Sequence, residues 1–215
     1  MSLDELVDAA CALAPGSGRA ILGVAGVPGA GKSTLAELLV DAIGRERGVG
    51  WVAHVPMDGF HLADVQLERL GVRQRKGAPE TFDPAGYAAL LRRLRTETDR
   101  PVYAPGFERT LEQPIAGAMV VEPAARLVVT EGNYLLLDRP EWRAVRDQID
   151  EVWYVDGGDD VRMERLVARH VAFGKTPEEA AAWVERVDVA NGRLIEASRD
   201  RADLHVDVSA WSPPT

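Results

Sequence analysis

The chain contains very little cysteine and lysine. A single cysteine, Cys11, among 215 residues excludes an internal disulfide and a cluster of cysteine metal ligands. Lysine occurs only at Lys32, Lys76 and Lys175, and acidic residues outnumber basic ones, so the formal net charge is −9. Because nucleic-acid backbones bind to basic surfaces, we expect no nucleic-acid partner.

Long apolar runs are also missing from the sequence. Neither a signal peptide nor a stretch long enough to span a bilayer is visible, so we expect a cytoplasmic protein without a membrane partner. The length suits one domain over residues 1–215. A homodimer is compatible with a protein of this size.

The most informative stretch follows a short apolar run, Ala20–Ala25, and precedes an apolar helical pattern. It reads Gly26-Val27-Pro28-Gly29-Ala30-Gly31-Lys32-Ser33-Thr34. The glycines allow successive N–H groups to face one concavity at a helix N-terminus, where the helix dipole favours an anion. Lys32 is expected to reach the β- and γ-phosphates of a nucleotide, and Ser33 to take one Mg²⁺ position. The motif therefore predicts binding of a nucleoside triphosphate with Mg²⁺.

Two acidic residues directly follow predicted strands. Asp58 comes after Trp51–Pro56, and Glu131 comes after Arg126–Thr130. Ligands of open α/β sheets lie at the carboxyl ends of the strands, so both carboxylates are expected near the bound phosphates. We assign Asp58 the role of catalytic base and place Glu131 beside the metal or its waters, with the reverse assignment left open.

Three arginines, Arg162, Arg165 and Arg169, recur at helical spacing on one side of a predicted helix. The glycine-containing break Phe173–Lys175 separates this helix from the next one. A helix–glycine–helix pair can close as a lid that brings guanidinium groups onto phosphates. We therefore predict a lid at about residues 159–176, in which Arg162 binds the nucleotide while Arg165 and Arg169 assist transfer.

Other segments are predicted from their turn and capping residues. Asp83 is expected to cap a helix that continues to about Arg95, and Thr176 to start a long helix towards Ser198. The proline-punctuated stretch Pro101–Arg109 is expected to be more loop than strand. Met119–Val121 is expected to join the alternation of strands and helices. The basic stretch Arg73–Lys76 is either a solvated turn or a substrate contact.

With these residues in view, the chain resembles the P-loop kinases that group uridine kinase, phosphoribulokinase and bacterial-type pantothenate kinase. The resemblance covers most of the chain, and its motifs are Gly26–Ser33, Asp58-Gly59-Phe60, Pro79–Asp83, Glu131-Gly132-Asn133-Tyr134 and Arg162–Arg169. The pairing of Asp58–His61 with Lys76–Asp83 is most similar to the pantothenate-kinase-like branch, which includes sugar kinases associated with fructose transporters.

The resemblance implies an α/β fold of the P-loop NTPase type, a three-layer sandwich with a five-stranded parallel sheet core and a helical lid. It also implies ATP-dependent phosphorylation of a hydroxyl group on a small metabolite, which would be pantothenate-, nucleoside- or sugar-like. The residues then expected to contact this acceptor are Asp58, His61, Lys76, Asp83, Tyr103, Arg109, Asn133 and Asn191.

Two alternative functions follow from the same motifs. A P-loop also occurs in regulatory NTPases, whose hydrolysis moves a protein partner. A nucleoside monophosphate kinase has an anionic acceptor, and the basic stretch Arg73–Lys76 is consistent with one. The combination of Asp58 with a row of lid arginines favours a kinase over a switch.

Overall fold

The computed structural model describes residues 1–16, 18–172, 174 and 176–208, which alternate between strands and helices. The described strands are β1 (Ala20–Ala25), β2 (Val52–His54), β3 (Val102–Glu108), β4 (Gln113–Val121), β5 (Leu127–Glu131), β6 (Glu151–Asp156) and β7 (Leu204–Asp207). The described α-helices are α1 (Leu3–Ala12), α2 (Lys32–Arg47), α3 (Asp64–Arg69), α4 (Pro84–Thr96), α5 (Pro140–Arg146), α6 (Asp159–Ala172), α7 (Pro177–Trp183) and α8 (Val189–Glu196).

A five-stranded parallel sheet forms the centre of the structure, in the order β2-β5-β1-β6-β7. Every residue of β1 and β5 is buried, as expected for parallel strands covered on both faces. Helix α2 packs against β1, β2 and β5, and α4 packs against β1. This arrangement confirms the predicted α/β class and its five-stranded parallel core.

The segment expected to be a loop is instead half of an antiparallel hairpin. Strands β3 and β4 pair from Val102–Val121 to Glu108–Gln113, outside the parallel sheet. Met119–Val121 is therefore a strand, but the expectation that it joins the alternating strands of the main sheet was wrong, because it pairs with β3. Pro105 has no N–H to donate, and the register of the hairpin shifts between Ala104 and Gly106.

Most helix boundaries agree with the local signals. Ser2 and Glu5 form the capping box of α1, and Asp83 accepts a hydrogen bond from the Gly86 N–H at the start of α4. The helix predicted from Thr176 is interrupted by a π-helical turn at Val184–Asp188 before it continues as α8. Helix α5 was not predicted. Among the described residues, no helix combines the length and apolar composition that a membrane span requires.

Two glycines permit close packing around the turn that follows β2. This turn, Met57–Phe60, carries Asp58. A Cβ atom on Gly59 would lie 2.3 Å from the backbone oxygen of Pro105, and one on Gly132 would lie 2.5 Å from the Cβ of Met57. The turn is therefore clamped between the hairpin and the end of β5, which fixes its position.

We expect Gly59→Ala to destabilise the fold because its methyl group must displace the backbone of Pro105. The free energy of unfolding should fall by about 1–3 kcal/mol, the usual cost of overpacking. Gly44→Ala is the matched control, since Gly44 lies in α2 with nothing within 4 Å of the added methyl group. This control should stabilise the protein by up to about 1 kcal/mol. Urea unfolding measures both, and equal stability of the two variants would contradict the clamp.

Candidate active site

The loop between β1 and α2 forms a tight turn around the Lys32 side chain. Gly29 and Gly31 have φ angles of +80° and +96°, a region that favours glycine. Helix α2 begins at Lys32, whose ammonium group is buried and donates a hydrogen bond to the Val27 carbonyl at 3.0 Å. The loop therefore presents a helix N-terminus and a buried cation to the same space, as anion binding requires.

Glu131 ends β5 beside this loop and is held there by main-chain and side-chain bonds. The N–H of Gly132 donates to the Val24 carbonyl at 3.0 Å, which ties the strand end to β1. On the other side, the Thr130 hydroxyl donates to the Val55 carbonyl and is hydrogen-bonded to the Tyr87 hydroxyl. The end of β5 is therefore fixed between β1 and β2, with the Glu131 side chain buried.

The surroundings of Glu131 disfavour its charge. Burial and, second to it, the nearby Asp58 carboxylate raise the pKa of Glu131 to about 7. Lys32, hydrogen bonding from Ser33 and Arg109 act in the opposite direction. Lys32, Ser33 and Arg109 thus lie close to the carboxylates of Asp58 and Glu131. A divalent cation would relieve the repulsion between these two carboxylates.

Asp58 lies on the turn after β2, and its side chain is one-third exposed. Its Oδ2 lies 3.8 Å from Nη2 of Arg109, and its Oδ1 lies 4.0 Å from Nδ1 of His61. The His61 Nδ1 lies 2.8 Å from the backbone oxygen of Asp58, and burial lowers the pKa of this imidazole. Asp58 is therefore an accessible carboxylate beside an imidazole that is neutral at neutral pH.

A cavity of about 490 Å³ connects the loop, the strand ends, the hairpin and the α7–α8 region. Its walls contain many of the residues predicted for the site, namely Pro28, Lys32, Ser33, Asp58, His61, Lys76, Arg109, Glu131, Asn133 and Asn191. Its size matches that of ordinary small-molecule sites. The structure therefore brings residues from distant parts of the sequence to one cavity.

Several predicted residues do not line this cavity. The Asp83 side chain is exposed and caps α4, because its Oδ1 accepts from the Gly86 N–H at 2.9 Å. Tyr103 projects from the hairpin with 64% of its surface exposed, while Thr34 and Arg165 are also exposed. Asp83 is held away from the cavity because it caps α4. Tyr103 is exposed because alternate side chains of β3 point to solvent.

Arg162 lies behind the phosphate loop. A Cβ on Gly29 would be 3.0 Å from the Arg162 Cγ, and a Cβ on Gly192 would be 3.7 Å from its Nη1. The half-buried Arg162 therefore lies between the loop and α8. The side chain of Arg169 and the residues Phe173 and Lys175 lie outside the described part of the chain, so the predicted row of arginines is only partly described.

One wall of the cavity carries residues that were not predicted from the sequence. Asp188 ends the π-helical turn, is buried, and accepts through Oδ2 a hydrogen bond from Nε2 of His170 at 2.9 Å. His170, Trp183 and Asp188 all line the cavity together with Asn191. The spacing of Asp188 and Asn191 on a predicted helix could have indicated a shared polar face, but no sequence signal marked the π-helical turn.

Ser33 and Glu131 provide a hydroxyl and a carboxylate oxygen at the loop, which are the hard ligands that Mg²⁺ prefers. Mg²⁺ usually binds to one or two protein ligands and completes its coordination with phosphate oxygens and water. The residues present therefore fit a magnesium ion that binds together with a nucleotide.

We expect the raised pKa of Glu131 to make the free energy of unfolding depend on pH when metal and nucleotide are absent. Its pKa is raised on folding, so stability is lost as the pH rises from about 4.5 through 7. Glu131→Gln removes this loss, which is on the order of 3 kcal/mol. Urea unfolding between about pH 5 and pH 8 should therefore show the advantage of the variant growing with pH. Exposed Glu141→Gln should follow the wild type, and a pH-independent difference at Glu131 would contradict the assignment.

Comparison with known proteins agrees with these features. The chain matches the sequence model of the Phosphoribulokinase / Uridine kinase family over residues 21–211. It is similar to "Putative uridine kinase C227.14" of Schizosaccharomyces pombe, at 35% identity over 209 residues, covering 94% of this chain and 89% of that protein. It is also similar to the crystal structure of a "putative fructose transport system kinase" from Silicibacter sp. TM1040. That comparison gives a TM-score of 0.86 and 38% identity, covering 96% of this chain and 99% of the other. The resemblance predicted from the motifs is confirmed: the chain belongs to the phosphoribulokinase/uridine kinase family.

Proposed function

We propose that the protein is an ATP-dependent kinase that transfers the γ-phosphoryl group to a hydroxyl group of a small metabolite. Membership of a kinase family supports phosphoryl transfer. The observation that carries the specific proposal is the meeting of four groups in one cavity of about 490 Å³, namely Lys32, Ser33, Asp58 and Glu131. Together they supply an anion site, metal ligands and a base, the parts that such a transfer needs.

The donor end of the site is the phosphate loop. Loop N–H groups and the N-terminus of α2 bind the triphosphate, and Lys32 exchanges its bond with the Val27 carbonyl for one with the β- and γ-phosphates. Mg²⁺ held by Ser33 and Glu131 would neutralise charge on the phosphate oxygens. Arg162, whose side chain lies against Gly29, is proposed to bind the nucleotide when the α6–α7 segment closes.

Asp58 is proposed as the base that accepts the proton of the acceptor hydroxyl. It is more exposed than Glu131 and faces the acceptor end, whereas Glu131 is buried beside Ser33. Arg109, near both carboxylates, is placed to stabilise charge on the transferring phosphoryl group. Neutral His61 bonds to the backbone of Asp58 and positions its turn.

The acceptor is proposed to contact His61, Lys76, Asn133 and Asn191 around Asp58. The names of two relatives refer to uridine and to fructose transport, so nucleosides and sugars belong in the first acceptor screen.

Closure of the α6–α7 segment, with Arg165 and Arg169 approaching the phosphates, is proposed to exclude water during transfer. Cytoplasmic location and a homodimer stay predictions.

Lys32→Ala should remove transfer activity while leaving the fold intact. The ammonium group neutralises charge that moves between phosphates, and its loss typically costs on the order of 3 kcal/mol, or about a hundredfold in rate. Coupled ADP release measures turnover, and circular dichroism melting checks the fold. Near-normal turnover with an unchanged melting temperature would contradict the assignment of the phosphate loop.

Asp58→Asn should abolish acceptor phosphorylation but preserve binding of ATP and Mg²⁺. The amide keeps the shape of the carboxylate but cannot accept the hydroxyl proton, so we expect a loss of at least about a hundredfold in turnover. Calorimetry with a non-hydrolysable ATP analogue gives the nucleotide affinity. Asp200→Asn, on an exposed turn, is the charge-matched control and should behave as wild type. Loss of nucleotide affinity in Asp58→Asn would instead place Asp58 at the metal and make Glu131 the base.

A further inference from the structure

Two cationic side chains at the acceptor end of the cavity, Lys76 and Arg73, form ion pairs with a residue of its own wall, Asp64. Lys76 Nζ lies 2.7 Å from Asp64 Oδ1, donates to the Glu112 carbonyl, and stands 5.6 Å above the Phe107 ring. Arg73 bonds to the other oxygen of Asp64 at 3.1 Å. These pairs hold the stretch after α3 against the tip of the hairpin. Lys76 and Arg73 therefore act as internal braces and are poor candidates for an anion clamp.

Of the basic groups that the structure describes in this region, Arg75 and Arg109 also have acidic neighbours. Arg75, which completes the basic stretch, pairs with Glu80 at 2.8 Å and does not line the cavity. Arg109 lies 3.8 Å from Asp58 and is near enough to Glu131 to act against the rise of its pKa, at the junction with the donor end. Its charge therefore serves the site of transfer, and the basic stretch no longer supports a phosphorylated acceptor.

The wall opposite the hairpin adds a buried acid. Asp188 Oδ2 is bonded to His170, and a carboxylate can accept about four hydrogen bonds, so capacity remains for donors from a ligand. Asn191 lies one turn further along the helix and donates to the Gly77 carbonyl at 3.3 Å. Asp188 and Asn191 thus present oxygen acceptors and an amide to whatever binds beside them.

Aromatic rings cover another part of the same space. The His61 ring lies 4.0 Å from that of Phe82 and 4.8 Å from that of Phe107, between ring centroids. Trp183 lines the cavity beside His170. Flat apolar faces beside carboxylates and amides suit a molecule whose edge is rich in hydroxyl groups and whose faces are made of C–H groups.

We propose that the acceptor is an uncharged, hydroxyl-rich compound, and that Asp188 is the residue that selects it over acceptors carrying a phosphate or carboxylate group. This inference rests on the proposed kinase function and narrows its substrate class. A hydroxyl donor gains a charge-assisted hydrogen bond from Asp188. An anionic acceptor would instead face Asp188 and Asp58 with like charge, while Lys76 and Arg73 are held by Asp64.

Matched pairs of acceptors test the charge preference. Pantothenol and pantothenate, uridine and orotidine, fructose and its 1- and 6-phosphates, and glycerol and glycerate differ chiefly in one anionic group, and the charged members keep hydroxyl groups that can accept a phosphoryl group. In a coupled ADP-release assay of the full chain, we expect the uncharged member of any active pair to have a kcat/KM at least about tenfold higher. Preference for the charged member would overturn the inference and leave the kinase function standing. Transfer to no member, with ATP bound normally, would overturn both.

Asp188→Asn tests the selecting residue with little change of shape. We expect KM for the active uncharged acceptor to rise at least about tenfold, with a smaller change in kcat, because a charge-assisted bond becomes a neutral one. Discrimination against its anionic counterpart should also weaken.

Glu185→Gln is the control, since Glu185 lies exposed on the same π-helical turn and is not part of the cavity wall. It should keep wild-type KM and discrimination. An Asp188→Asn variant with unchanged KM and unchanged discrimination would overturn the role of Asp188, and so would one that lowers kcat alone.

Discussion

Repulsion between two carboxylates in a partly dry site is the interaction on which the rest of the structure depends. Asp58 follows β2 and Glu131 ends the neighbouring strand β5, and burial together with the charge of Asp58 raises the pKa of Glu131 to about 7. Such a pair is stable only with positive charge nearby. Lys32 on the phosphate loop and Arg109 on the hairpin supply part of it, and the site is therefore prepared for a cation and for an anion that binds with it.

Precise backbone packing holds these charges in place. Gly59 and Gly132 allow the turn carrying Asp58 to fit between the hairpin and the end of β5. The Thr130 hydroxyl ties β5 to the carbonyl of Val55 just before that turn. Because the two carboxylates lie at or just after strand ends rather than on free loops, their separation is set by the sheet itself. The hairpin and the α7–α8 region then close the acceptor side.

Local signals in the sequence predicted the backbone elements around the phosphate loop and the cap of α4. The glycine-rich loop, the strands before Asp58 and Glu131, and the cap at Asp83 all depend on neighbouring residues, and each is present in the structure. The acceptor half depends on long-range contacts that no local pattern encodes. Pro105 was interpreted as a loop former although it lies at a register shift of a hairpin. Local sequence patterns also gave no indication of the pairing of Lys76 with Asp64 or of the π-helical turn at Asp188.

In the proposed site Glu131 binds the metal and Asp58 is the base. Replacing Mg²⁺ with Mn²⁺ tests this assignment most directly. Electron paramagnetic resonance reports the fraction of Mn²⁺ bound in the presence of a non-hydrolysable ATP analogue. Glu131→Gln should weaken Mn²⁺ binding in this complex by about tenfold or more, because it removes a charged ligand. Asp58→Asn should leave the Mn²⁺ affinity close to that of the wild type. The opposite pattern, with Asp58→Asn losing Mn²⁺ and Glu131→Gln retaining it, would contradict the account.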